Sequence, residues 1–178
     1  MNSLILVNRQ HPYTMNVRQN LTPVLPSFPH ILLEREASEA LSRLMKELGG
    51  WGKIVPVSGW RSFTEQQEIY LDSLRENGRE FTKRFVALPG HSEHQTGLAI
   101  DLGLRGENVD FIRPDFPYEG ICQRFRELAP AYGFVERYPV GKERVTGIAH
   151  EPWHFRYVGA PHAESMARQG LCLEEYLA

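Results

Sequence analysis

Helical and strand-like stretches follow one another along this chain without the strand–helix–strand rhythm a parallel sheet needs, and no other feature constrains the fold as tightly. From Glu34 to Leu48, the apolar residues Ala37, Ala40, Leu41, Leu44, Met45 and Leu48 recur at three- and four-residue steps. That spacing predicts an amphipathic helix, ended by Gly49-Gly50. Lys53–Val57 reads as a short strand, and Pro56, which cannot donate to a ladder, puts it at a sheet edge or at a strand end. Ser62-Phe63-Thr64-Glu65 has the spacing of a capping box and opens a helix expected to run to Asn77-Gly78. Leu98–Leu104 alternates large with small or polar residues, as a strand does. A helix over 119–132 stopped by Gly133, strands at Phe134–Tyr138 and Trp153–Val158, and a last helix framed by Pro161 and Gly170 complete the order. Pro12, Pro23, Pro26 and Pro29 make the early chain too proline-rich for a long helix. The expected class is α+β, a small antiparallel sheet flanked by helices, in one domain over 1–178 with residues 1–30 as an extended arm packed on it.

Composition removes several classes of function. Twenty Lys and Arg against 22 Asp and Glu, with no long run of either sign, do not make the basic stripe of a nucleic-acid binder. A hydrophobic share of 42% can bury a core, which argues against a disordered chain. Apolar runs are only a few residues long, so no membrane anchor is expected. The start, Met1 to Arg9, lacks the basic and long apolar regions of a signal peptide, and a cytoplasmic protein is the expectation. Cys122 and Cys172 stand in no metal-type spacing; two free thiols in a reducing compartment is the plain reading, and a single bridge stays open.

The chemistry concentrates in two segments, Ser92–Asp101 and Glu151-Pro152-Trp153-His154. A zinc hydrolase needs three protein ligands, an open fourth position for water, and a base beside that water. His94 in a glycine-containing turn, Asp101 on the strand that follows and His154 on another strand can supply the ligands. Glu151, three residues before His154, can sit beside the metal without binding it and act as the base, later passing the proton to the leaving amine. Two neutral imidazoles and one carboxylate leave a Zn²⁺ site at about +1, enough to bring its water to a pKa near 7.

Ser58-Gly59-Trp60-Arg61-Ser62, Ser92 to Asp101, Arg137-Tyr138-Pro139 through Thr146-Gly147, and Glu151 through Gly159 together resemble the VanY/VanXY family of zinc D,D-peptidases. The likeness runs from about residue 4 to the C-terminus, and its pattern, S-x-H-x-x-G-x-A-x-D followed about 50 residues later by E-x-W-H, is specific. The resemblance implies the zinc fold shared with lysostaphin-type and hedgehog-type proteins. It implies one Zn²⁺ on His94, Asp101 and His154, Glu151 as catalytic base, and Arg61 as the cation near the scissile carbonyl or the substrate's terminus. Gln66 and Ser92 match positions lining the substrate pocket, and Trp153 reads as core or pocket wall. The implied substrate is a peptidoglycan precursor pentapeptide ending in D-Ala-D-Ala, in glycopeptide (vancomycin) resistance or cell-wall remodelling, with no obligate protein partner.

One departure is Trp60, where the family usually has Tyr. Another bears on substrate choice: dipeptide-cleaving relatives resemble Asp-Gly-Tyr-Arg where this chain has an uncharged Ser58. A desolvated ammonium without that partner would lose about 1.5–3 kcal/mol, which favours the pentapeptide over free D-Ala-D-Ala. D,D-dipeptidase action, an L,D-carboxypeptidase that trims tetrapeptides, and a non-catalytic zinc-binding module of the same fold stay open beside this reading. The bland readings are ordinary ones: structural roles for His11, His30, His150 and His162, and solvating or loop-orienting roles for Glu93 and Gln95.

Overall fold

The computed structural model describes residues 2–14 and 20–178; residues 1 and 15–19 of the expected arm lie outside the described residues. Strands β1 (Leu21–Pro23) and β2 (Leu32–Glu34) pair antiparallel and lead directly into helix α1 (Arg35–Leu48). Next come β3 (Ile54–Ser58), α2 (Phe63–Phe85), β4 (Ala99–Leu104), α3 (Gly120–Leu128), β5 (Phe134–Tyr138) and the short α4 (Glu143–Thr146). The chain ends with β6 (Glu151–Tyr157), α5 (Ala160–Gln169) and α6 (Leu173–Tyr176). β3, β4, β6 and β5 lie side by side in that order, all antiparallel, in a four-stranded sheet.

Helix α1 buries Ala37, Ala40, Leu41, Leu44 and Met45 and closes on Gly49 in the left-handed conformation, so its periodicity translates directly into a core face. That face joins Ile54, Ile100, Leu102, Phe125, Phe134 and Phe155 in the main core. A smaller cluster of Val135, Val158, Ala163, Met166 and Leu173 takes Leu4 and Leu6 of the N-terminal segment against it. Pro56 sits on β3 at the sheet edge, next to a register shift between Pro56 and Ser58. Cys122 and Cys172 are both buried and unpaired. No helix among the described residues is long and apolar enough to cross a membrane.

The capping box of α2 forms in full, Glu65 N donating to Ser62 Oγ and Ser62 N to the Glu65 carboxylate, and the first helical segment ends at Gly78 as expected, where φ is 78° and ψ 172°. A second helical segment, not expected from the sequence, follows this kink to Phe85. The Thr82 hydroxyl, bonded to Gly78 O and paired with Ser73 Oγ at 2.8 Å, ties the two halves together. The expected helix over 119–132 is α-helical only to Leu128; residues Ala129–Tyr132 tighten into a 3-10 turn containing Pro130.

Candidate active site

The motif residues meet where the middle of the sheet faces the turn before β4. His94 lies in a 3-10 turn, Glu93–Thr96, which Ser92 caps by accepting from His94 N. Gly97 ends the turn at φ 74° and turns the chain into β4, which explains the glycine of the motif. Asp101 on β4 pairs in register with His154 on β6. Glu151 and His154, three residues apart, would face opposite sides of a regular strand. A register shift between β5 and β6, with Glu136 opposite Phe155 but Tyr138 opposite Glu151, marks a bulge that lets both reach one cavity.

Donor atoms of His94, Asp101 and His154 lie within 4.8 Å of one another, all three residues buried. Asp101 Oδ2 is 3.1 Å from His94 Nε2, and Asp101 Oδ1 is 2.8 Å from His154 Nδ1. The outward ring nitrogens are also engaged. His94 Nδ1 donates to Gly59 O at 2.7 Å, and His154 Nε2 donates to Glu93 Oε2 at 3.4 Å. A carbonyl and a carboxylate can only accept, so these bonds leave His94 Nε2 and His154 Nδ1 as the nitrogens turned toward Asp101, the ones that would offer lone pairs once a metal displaces the proton His154 shares with Asp101. Three lone-pair donors converging in a buried space suit a borderline cation, and the set fits zinc.

Gly59 has no freedom here: a Cβ would stand 2.3 Å from Leu32 O. Trp60 N donates to that same oxygen and Arg61 N to His94 O, pinning the Gly59–Arg61 segment between β2 and the histidine turn. Arg61 donates through Nη1 to Gln66 Oε1 at 3.0 Å, and its Nη2 is 3.5 Å from Asp101 Oδ2. Gln66 is itself held by Ala87 O at 2.8 Å. Arg61 Nε is buried with no hydrogen-bond partner among the described residues.

Electrostatics follow from burial. Desolvation and Arg61 bring His94 down to about 4. Burial opposes the charged form of His154 too, but its bonds to Asp101 and Glu93 raise it to about 9, so without a cation it carries the proton that a metal would displace. Glu151, whose Oε2 is 4.0 Å from His154 Nδ1, is pushed up to about 8, first by burial and further by Asp101 and Glu93, against His154 and Arg61.

A cavity opens over these groups. Arg61, Gln66, Ser92, His94, Asp101, Glu151, Trp153 and His154 all line it. Ser58 does not. It is buried at the end of β3, opposite Asp101.

Glu93, read from sequence as loop-orienting, is fully buried; its Oε1 accepts from Arg137 Nε and Arg156 Nη1, both at 2.8 Å. Burial would raise its carboxyl, but the two guanidinium groups outweigh that and hold it well below the ordinary carboxylate range. One signal was available: Arg156 stands two residues past His154 and so on the same strand face.

Residues 30–160 match VanY, the D-alanyl-D-alanine carboxypeptidase family. The chain is 43% identical, over 99% of its length and 94% of the relative's, to the bifunctional D-Ala-D-Ala dipeptidase and carboxypeptidase VanXYC of Enterococcus gallinarum. It superposes with a TM-score of 0.97 on the vancomycin-resistance D,D-dipeptidase VanXYg bound to a D-Ala-D-Ala phosphinate analogue, at 53% identity over 99% of this chain and 70% of that one. The D,D-pentapeptidase VanY of a VanB-type resistance cassette, solved with Zn(II), matches over the whole of both chains with a TM-score of 0.81 and 32% identity.

Proposed function

Because the chain belongs to the VanY family of D-alanyl-D-alanine carboxypeptidases, we propose that it binds one zinc ion on His94, Asp101 and His154 and removes the last D-alanine from peptidoglycan precursor peptides ending in D-Ala-D-Ala. The observation that carries the reading is the meeting of that ligand set with Glu151 and Arg61 around one cavity. Zinc bound there would supply a Lewis acid for the scissile carbonyl and the attacking water. Glu151 takes the proton from that water and returns it to the leaving amine. Its carboxyl, held up to about 8 without a cation, falls when a divalent charge stands beside it, which frees it to accept a proton at neutral pH. Arg61, held at Nη1 by Gln66 and lining the cavity, is the cation for the oxygen that gains charge or for the substrate's terminal carboxylate. Ser92 and Trp153 complete the wall against the substrate.

Free D-Ala-D-Ala is a second substrate in this proposal. Support comes from the similarity to VanXYC, named as both dipeptidase and carboxypeptidase, and to VanXYg, named as a D,D-dipeptidase. The two buried, unpaired thiols favour a reducing compartment, so we place the activity in the cytoplasm, on soluble precursors, in glycopeptide resistance or wall remodelling. The zinc-loaded protein, incubated with a D-Ala-terminated pentapeptide, the corresponding tetrapeptide and D-Ala-D-Ala, is read by mass spectrometry. Loss of one D-alanine from the pentapeptide is expected. Cleavage of the tetrapeptide alone would make it an L,D-carboxypeptidase, and cleavage of nothing would make it a zinc-binding module.

A further inference from the structure

Beside His154 lies a chain of buried charge that the proposed reaction does not use, with Glu93 at the cavity's lining and the arginines behind it. Glu93 is 0% exposed at its side chain, as are Arg137 and Arg156. The two Glu93 oxygens divide their work: Oε1 takes both guanidinium groups, and Oε2 is the acceptor for His154 Nε2. Arg137 turns its other two nitrogens to Glu174 on α6, at 2.8 and 2.7 Å, and Glu174 also accepts from Asn8. Arg156 spends its remaining donors on the carbonyls of Ser3, Ile5 and Tyr157.

Two arginines and two glutamates sum to zero, so Glu93 is a fully paired anion held in one position. If Glu93 served only to neutralise the arginines, Oε1 alone would do so; Oε2 would have no reason to meet a ring nitrogen in a fully buried space.

We propose that Glu93 is a positioning residue for the metal site: clamped by Arg137 and Arg156, its carboxylate fixes the ring of His154 with the proton on Nε2 and the lone pair of Nδ1 toward the metal position. The inference rests on the proposed zinc site. It extends that site to the two chain ends, because Glu174 and the carbonyls of Ser3 and Ile5 hold the arginines that hold Glu93.

The test compares zinc-loaded full-length protein with E93D, E93Q and H154A by competition against a chromophoric chelator, and records the visible spectrum of each after cobalt(II) exchange. Circular dichroism reports the fold. E93D keeps the charge between the arginines but shortens a reach that is already 3.4 Å, so it separates neutralisation from positioning and serves if E93Q fails to fold. Expected results are loss of bound metal in H154A and a folded E93D whose zinc affinity falls by about 10- to 100-fold with a shifted cobalt spectrum, the size seen when an outer partner of a ligand is removed. Folded E93D with unchanged affinity and spectrum overturns the role of Glu93 and leaves the zinc site standing. Unchanged metal binding in H154A overturns the zinc site, and the role of Glu93 with it.

Discussion

Replacing Glu151 by glutamine should stabilise the metal-free protein in a pH-dependent way while abolishing turnover. The Glu151 carboxyl sits at about 8 in the folded chain against an ordinary value of 4.5, burial being the largest cause. Between those two values the unfolded chain releases this proton and the folded chain keeps it. The contribution to stability is therefore full below pH 4.5 and is lost as pH rises toward 8. At about 1.36 kcal/mol per unit, and allowing for partial ionisation at each end, the loss between pH 5 and pH 8 comes to about 3 kcal/mol. Glutamine does not titrate and escapes it. The stability of Glu151→Gln minus that of the wild type should thus grow by about 3 kcal/mol from pH 5 to pH 8, or about 6–12 °C of Tm for a domain of this size. Urea unfolding of both proteins at a series of pH values, with chelator present, reads the difference. Saturating zinc should shrink it, because a cation beside the carboxylate favours its charged form. A difference that stays flat across pH, or a variant less stable at pH 8, would show that Glu151 is ionised in the folded chain and that burial does not govern it.

Glu151→Ala should retain zinc in equilibrium dialysis and lose peptidase activity, whereas His154→Ala should lose the metal; full activity in Glu151→Ala would end the assignment of the base. Arg61→Ala should lower kcat/KM by about 10²–10³, the cost of removing a preorganised donor from a site of developing charge, with an unchanged circular dichroism spectrum. Arg61→Lys should restore little, since an ammonium cannot bond Gln66 and still offer a second planar donor. Gly59→Ala drives a methyl into Leu32 O, so chemical denaturation should show a loss of about 1–3 kcal/mol, and the weakened hold on His94 should lower zinc affinity.

Local patterns settle within a few residues, and those were readable in the sequence: the apolar face of α1, the capping box of α2, the edge position of the proline-bearing β3, and the strand at 134–138. The convergence of His94, Asp101, His154 and Glu151 on one cavity was readable too, because the chemistry they suit restricts residue type and spacing together. Other features depend on what packs across the sheet, and no local window contains that. The second helical segment beyond Gly78 depends on Thr82 and Ser73 holding it to the first. The bulge in the β5–β6 pairing, which brings Glu151 round to the side of His154, is a property of two strands in register. Glu93 looked like one more polar residue in a turn; only the meeting of Arg137, Arg156 and His154 from two distant strands makes it a buried anion. A charge in sequence is a single residue, whereas its burial and its partners belong to the folded chain, where desolvation decides which ion pairs persist.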